Sequence, residues 1–77
     1  ALTTWKFSAI IEEDENGYFA YCPELQGCHT QGDNIDEALL NLREAVSLYL
    51  ETLTDEEKSE RGSRRILTTS MEFIAGG

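Results

Sequence analysis

Apolar and polar residues alternate near the start of the chain, a period that predicts β-strands. Residues 3–12 form the first such run. Its apolar side chains share one face: Trp5, Phe7, Ala9 and Ile11. The dipeptide Asn16-Gly17 then tolerates positive φ and marks a hairpin turn. Residues 18–22 predict a second strand that is apolar on both faces, which indicates either a central position in the sheet or coverage on both sides.

The alternation breaks at Pro23-Glu24-Leu25-Gln26-Gly27. Proline cannot donate to a strand ladder and glycine permits unusual φ, so we expect a turn or a wide bulge here. Residues 28–31 predict a short third strand that ends at Gly32. We therefore expect the first three strands to form an antiparallel meander.

The strongest pattern is a helical stripe between residues 35 and 53. Apolar residues recur there at spacings of three and four, the period of an amphipathic helix. The stripe comprises Ile35, Ala38, Leu39, Leu42, Ala45, Val46, Tyr49, Leu50 and Leu53. Asp33 or Asn34 can cap the start of this helix. One apolar stripe needs one partner surface, and the predicted sheet supplies it.

Two weaker patterns complete the chain. Thr54-Asp55-Glu56-Glu57 has the form of a capping box and predicts a short exposed helix that runs to Arg61 and stops at Gly62. Residues 66–74 alternate again and predict a last strand. Its apolar face would carry Leu67, Thr69, Met71 and Phe73. The sequence thus predicts one α+β domain over residues 1–77, with two layers in the order β-β-β-α-β and the short helix before the last strand.

The chain is strongly acidic. Fifteen Asp and Glu against six Lys and Arg give a formal net charge of −9. This charge disfavours direct nucleic-acid binding, because phosphate contacts need clustered Lys and Arg. It suits a positively charged protein partner, although solubility alone is a competing interpretation. The acids are unevenly placed, with four at residues 12–15 and five between Glu51 and Glu60.

Targeting and metal-binding patterns are missing from the sequence. No run approaches the ~20 apolar residues of a membrane span, and no leader pattern is present, so we expect a cytoplasmic protein. A reducing compartment would leave Cys22 and Cys28 as free thiols, but the sequence alone leaves their redox state open. His29 is the one histidine beside them, too little for a zinc site, and we expect no cofactor.

Candidate catalytic sets are missing as well. Cys28 and His29 are neighbours on a predicted strand, so their side chains point to opposite faces. The carboxylates of residues 12–15 share one loop, whereas a metal-dependent nuclease needs acids that converge from separate elements. We therefore expect a binding module and not an enzyme.

Large apolar side chains are numerous for a sheet that a single helix covers. They are Trp5, Phe7, Tyr18, Phe19, Tyr21, Met71 and Phe73. Either the surplus forms a self-association surface, or the helix covers most of it. The sequence leaves both interpretations open.

A motif with specific spacing runs through residues 16–45 and resembles the HicB family of antitoxins. It comprises Gly17, Tyr18, Ala20, Pro23, Glu24, Leu25, Gly27, Cys28, Thr30, Gly32, Asp33, Glu37, Ala38 and Leu39, followed by Glu44-Ala45. Two positions depart from the family pattern: Gln26 stands where proline is common, and Asn34 where serine or threonine is favoured. Both changes are compatible with turn and capping positions.

The resemblance implies a core likened to a truncated ribonuclease H fold without its catalytic carboxylates. It also implies a function, which is to bind and block a HicA toxin, a small basic ribonuclease that cleaves messenger RNA. Family members commonly form dimers or higher oligomers. Many carry a C-terminal DNA-binding domain, for which we find no pattern after Leu53. The chain is therefore expected to be a short form that makes no direct contact with nucleic acid or membrane.

The motif residues divide into a scaffold and candidate partner contacts. We assign Gly17, Tyr18, Pro23, Leu25, Gly27, Cys28 and Gly32 to the scaffold. The expected contacts with a basic toxin are Glu12, Glu13, Asp14, Glu15, Glu24 and Asp33. The alternative is a stand-alone structural or regulatory module that only self-associates. Residual metal-dependent nuclease activity is a third and weaker hypothesis.

Overall fold

A three-stranded antiparallel sheet carries the fold in a computed structural model that describes residues 3–76. The elements follow in the order β1 (Ile10–Asp14), β2 (Gly17–Tyr21), β3 (His29–Gly32), α1 (Ile35–Glu51) and α2 (Asp55–Gly62). The predicted α+β class and the antiparallel meander are confirmed. The limits of the predicted domain, residues 1 and 77, lie outside the described residues.

The residues of two turns determine the path of the antiparallel meander. In the first hairpin Asp14 pairs with Gly17, whose φ of +133° lies in the region that disfavours other residues. In the second connection, the Cys22 N–H donates to the Cys28 carbonyl at 3.0 Å, which closes the turn around Leu25. The sheet order β1-β2-β3 makes β2 the central strand, as its two apolar faces predict.

Side-chain hydrogen bonds fix the start of helix α1 and hold the helix against the sheet. Asn34 caps the helix by accepting a 2.8 Å hydrogen bond from the Glu37 N–H. The Thr30 hydroxyl donates to the Ala38 carbonyl at 3.1 Å and so ties β3 to the helix. A Cβ added at Gly32 would lie 2.6 Å from the Ala38 nitrogen, so this close approach requires glycine.

The core is small and lies between the sheet, the 23–27 turn and α1. Its buried apolar members are Ala20, Cys22, Leu25, Cys28, Ala38 and Leu42. Partly buried residues from the helical stripe and from the strands complete it: Phe7, Ile11, Tyr18, Ala45, Val46, Tyr49, Leu50 and Leu53. The stripe therefore packs as predicted, except that Ile35 and Leu39 are 48% and 36% exposed.

The capping box of α2 is present as predicted. The Thr54 hydroxyl accepts from the Glu57 N–H, and the Glu57 carboxylate accepts from the Thr54 N–H. The hydrogen bond that the Glu57 carboxylate accepts from the Thr54 backbone, followed by one from the Thr54 side chain, lowers the pKa of Glu57. The Arg61 guanidinium lies 6.0 Å from the centre of the Tyr49 ring and connects α2 to α1.

The first strand is shorter than predicted, because it begins at Ile10 and not at residue 3. Ile10 pairs with Tyr21, the last residue of β2. The residues before Ile10 therefore run past the end of β2, where Pro23 begins the turn. Residues 3–9 therefore have the alternating pattern of a strand but no neighbouring strand with which to form backbone hydrogen bonds.

The predicted last strand over residues 66–74 is not formed in the single chain. From Ser63 to Gly76 the chain has neither helix nor strand. The segment carries four large, exposed apolar side chains. These are Leu67, Met71, Phe73 and Ile74, with 74%, 73%, 82% and 102% of their surface exposed. Alternation alone does not form a strand, because a strand also needs an edge to pair with.

Neither helix in the described part of the chain is long and apolar enough to cross a membrane.

Candidate functional site

The four acidic residues 12–15 lie at the first hairpin, and all of them are exposed. The hairpin is rigidified at its tip, where the Asp14 carboxylate accepts a 2.7 Å hydrogen bond from the Asn16 N–H. Glu13 lies opposite Tyr18 in the register of β1 and β2. The hydrogen bond between Tyr18 and Glu13, followed by the negative charge of the Glu13 carboxylate, raises the pKa of Tyr18. The hairpin therefore presents carboxylates in a defined strand geometry.

More acidic residues lie at the same end of the sheet. Gly32 pairs with Tyr18, so the chain that follows β3 emerges beside the first hairpin. Asp33 and the first turn of α1 are placed there. We call this region the acidic end, and its members are Glu12, Glu13, Asp14, Glu15, Asp33, Asp36 and Glu37, all exposed. Sequence reasoning did not assign Asp36 and Glu37 to this surface.

The sheet face opposite α1 is a second feature, and it carries Phe19 and Tyr21 from the large apolar side chains for which the sequence left both interpretations open. Side chains alternate between the two faces of a strand. Ala20 is buried on the side of α1, so Phe19 and Tyr21 point to the other face, together with Ile10. These three side chains are partly buried, and exposed Glu12 lies beside Phe19 in the register. The apolar character of both faces of β2 was the signal for this open sheet face.

Glu24 differs from the other candidate contacts, because it is 4% exposed. Its carboxylate accepts from the Ser8 N–H at 2.9 Å, from the Ser8 hydroxyl at 3.0 Å and from the Cys22 thiol at 3.6 Å. The expectation that Glu24 is an exposed acidic position is therefore wrong. It lies at the other end of the sheet from the acidic end, near Arg61 and Arg64, and anchors residues 3–9 to the turn.

The two cysteines are free, buried thiols. Burial, followed by the negative charge of Glu24, raises the pKa of Cys22 to about 11. Burial also raises the pKa of Cys28. Neither thiol is therefore a reactive thiolate at neutral pH, and both are small buried members of the core. Among residues 3–76 no group of three or more His, Cys, Asp or Glu side chains is placed to hold a metal ion.

The motif around this core matches a known family. A profile described as "HicB_like antitoxin of bacterial toxin-antitoxin system" matches residues 7–73. The chain belongs to this HicB-like antitoxin family. The family is one of antitoxins and not of enzymes, which supports the expectation of a non-enzymatic protein.

Curated relatives of this HicB-like chain come from bacteria, archaea and a bacteriophage. A UPF0150 protein of Helicobacter pylori strain J99 is 54% identical over 50 residues, covering 65% of this chain and 69% of the relative. One from Synechocystis is 42% identical, covering 70% of each chain. One from Archaeoglobus fulgidus is 45% identical, covering 71% of this chain and 81% of the relative. No solved structure shows a significant match.

In the HicB-like chain the motif residues occupy turns and the core. Gly17 and Gly27 have positive φ, and Gly32 contacts the backbone of α1. Leu25 and Cys28 are buried, while Tyr18 and Pro23 are partly buried. These positions fit the assignment of the motif to the scaffold.

Replacing Glu24 with glutamine in this HicB-like chain is expected to lower the free energy of unfolding by about 1–3 kcal/mol. The amide has one acceptor oxygen, so it cannot serve the Ser8 N–H, the Ser8 hydroxyl and the Cys22 thiol together. Urea denaturation followed by circular dichroism measures the change. Glu44→Gln, on the exposed surface of α1, is the matched control and should have no effect. Equal losses in the two variants would contradict this role of Glu24.

Proposed function

We propose that this protein neutralises a small basic HicA-type toxin that cleaves messenger RNA, by covering the RNA-binding surface of the toxin. The observation that carries the proposal is the acidic end, where seven exposed carboxylates from strand β1, two connecting segments and the start of α1 are gathered in a chain of the HicB-like antitoxin family. A ribonuclease must attract the phosphates of RNA, so its substrate surface is positively charged. A protein surface with clustered carboxylates competes for the same charges.

The proposed contacts are Glu12, Glu13, Asp14, Glu15 and Asp33, to which the structure adds Asp36 and Glu37. Glu24 is removed from this set, because its carboxylate is buried and bonded within the chain. Next to the acidic end, the open sheet face offers Phe19 and Tyr21 as apolar contacts. Interfaces combine such an aromatic centre with a charged rim, so the two features together can form one docking surface.

Self-association and a cytoplasmic location complete the proposal. We propose that the protein forms a homodimer or a higher oligomer, because four large apolar side chains near its C-terminus are exposed in the single chain. The same observation favours the alternative function, a stand-alone module that only self-associates. The β-β-β-α order also supports the likeness to a truncated ribonuclease H fold. That likeness implies no catalysis, and the net charge of −9 disfavours direct binding to nucleic acid.

Co-expression separates the two functions. The small basic protein encoded beside this gene is expressed in a bacterial host, alone and together with this chain. We expect growth arrest by the basic protein alone, growth when both are present, and a complex that co-purifies. Persistent growth arrest without a complex, or the lack of such a neighbouring gene, would overturn the antitoxin function and favour the self-associating module.

A further inference from the structure

Two segments of this chain have the sequence pattern of a strand but no partner strand. The first is residues 3–9, which run past the end of β2. The second is residues 66–74, here called the tail, which contain no glycine or proline and are rich in Ile, Leu, Thr and Phe. Such residues favour extended structure when a sheet edge is available. In the single chain, residues 3–9 lack a neighbouring strand and the tail lacks a sheet edge, so each segment could supply the missing partner of the other.

The tail leaves the body of the protein. Its exposed Leu67, Met71 and Phe73 make no part of the core. The described chain extends over 58 Å in its longest dimension and has a radius of gyration of 15.3 Å. A compact domain of this length would have a radius of gyration of about 11–12 Å. An exposed, extended apolar segment of this kind is unfavourable in water and indicates that a partner covers it.

An apolar groove lies beside residues 3–9 and is open. Its volume is about 290 Å³, and it lies between that segment and α1. The lining is mostly apolar, with Trp5, Phe7, Ala9, Leu39, Val46 and Leu50 among its members. Arg43 is the one charged residue that lines it. The groove and the apolar face of the tail thus match in polarity.

We propose that two copies of this chain exchange their tails, so that the tail of each copy forms a strand beside residues 3–9 of the other and fills its groove. This inference deepens the self-association part of the proposed function and rests on that part alone. In the exchanged strand, Leu67, Met71 and Phe73 would face the groove, and Ser70 and Glu72 would face away. Residues 3–9 would then gain the neighbour that their alternation predicts.

A second copy fits the groove better than the other candidates do. The tail of the same chain does not fill its own groove, because no tail residue lines that groove and Leu67, Met71 and Phe73 are exposed. A basic toxin is favoured by the acidic end, whereas the charged residue that lines the groove is itself a cation, Arg43. Reciprocal exchange places identical contacts on both copies, which closes a two-fold dimer and leaves no unpaired tail.

The test uses the full-length chain and measures mass by sedimentation velocity over a range of concentrations. We expect a dimer for the unsubstituted protein. Phe73→Asp in the tail and Leu39→Asp in the groove should each weaken self-association by about 10- to 100-fold, because each places a charge in a buried apolar contact. Ser70→Asp, on the outward face of the tail, and Leu48→Asp, exposed on α1 outside the groove, are the matched controls and should remain dimeric. Circular dichroism checks that every variant is folded.

Mixing the two defective variants tests the exchange itself. A mixed dimer contains one contact between an undamaged tail and an undamaged groove, so mixing Phe73→Asp with Leu39→Asp chains should restore dimers that neither forms alone. Dimers that survive in Phe73→Asp, or a mixture that stays monomeric, would overturn the exchange. An unsubstituted protein that is monomeric at every concentration would overturn it too. The co-expression experiment measures neutralisation of the toxin separately. Failure of the tail exchange would therefore not contradict the antitoxin function.

Discussion

Replacing Leu25 with alanine is expected to lower the free energy of unfolding by about 2–5 kcal/mol. Leu25 is 1% exposed and is one of the two largest fully buried side chains. It lies in the turn between β2 and β3, where the Leu25 N–H donates to the Cys22 carbonyl and the Cys28 N–H donates to the Leu25 carbonyl. These hydrogen bonds fix the backbone, so the turn cannot collapse to fill the space that the substitution leaves.

The size of the protein makes this loss severe. A chain of fewer than about 80 residues rarely has more than ~3–5 kcal/mol of net stability, so the variant should be largely unfolded or close to its unfolding midpoint at 25 °C. Urea denaturation of the purified variant measures the change. Leu48→Ala removes the same atoms from a side chain that is 65% exposed and should change stability by less than about 0.5 kcal/mol. A Leu25→Ala variant as stable as Leu48→Ala would contradict the assignment of Leu25 to the core.

Reversing the charge of the first hairpin is expected to slow association with the proposed basic toxin by about 10- to 100-fold at low ionic strength. The variant combines Glu12→Lys, Glu13→Lys and Glu15→Lys, and it keeps Asp14 because that carboxylate holds the turn. Opposite charges steer two proteins together before they touch, so the change should act on the association rate. The dependence of that rate on salt should also flatten, because salt screens the attraction that the variant has lost. Stopped-flow or surface-based kinetics over a range of salt concentrations measures both effects.

A matched variant separates local from overall charge. Glu44→Lys, Glu51→Lys and Glu60→Lys change three exposed carboxylates outside the acidic end and raise the net charge by the same six units, from −9 to −3. We expect a smaller decrease in the association rate for this control. Equal decreases in the two variants would show that only net charge matters and would remove the hairpin from the proposed interface.

Local patterns predicted the helices and the middle of the sheet well. The stripe from Ile35 to Leu53 places α1, because a helix needs only its own backbone partners and one apolar surface. The capping box at Thr54 places α2 for the same reason, since all of its members lie within one turn. The turns at Gly17 and Gly27 follow from positive φ, which is a property of the residue itself.

The candidate site was predicted only in part. The acids of residues 12–15 are neighbours in sequence, and their exposure follows from their chemistry. Asp33 joins them only because β3 ends beside the first hairpin, which depends on the register between Tyr18 and Gly32. Glu24 is also a carboxylate, but it is buried and not exposed. The fold brings Ser8, which lies sixteen positions earlier in the chain, within hydrogen-bond distance of its carboxylate. No local pattern indicates such a contact.

The family followed from the resemblance of the motif, whereas composition and spacing were enough for the class of fold, the order of the first elements and the acidic character of the surface. These depend on interactions between residues that are near one another along the chain. The tertiary structure decided which acids gather at one end, which carboxylate is buried, and where β1 begins. It also left residues 3–9 and 66–74 without partners, because a strand is completed by an edge that another part of the structure, or another molecule, must supply.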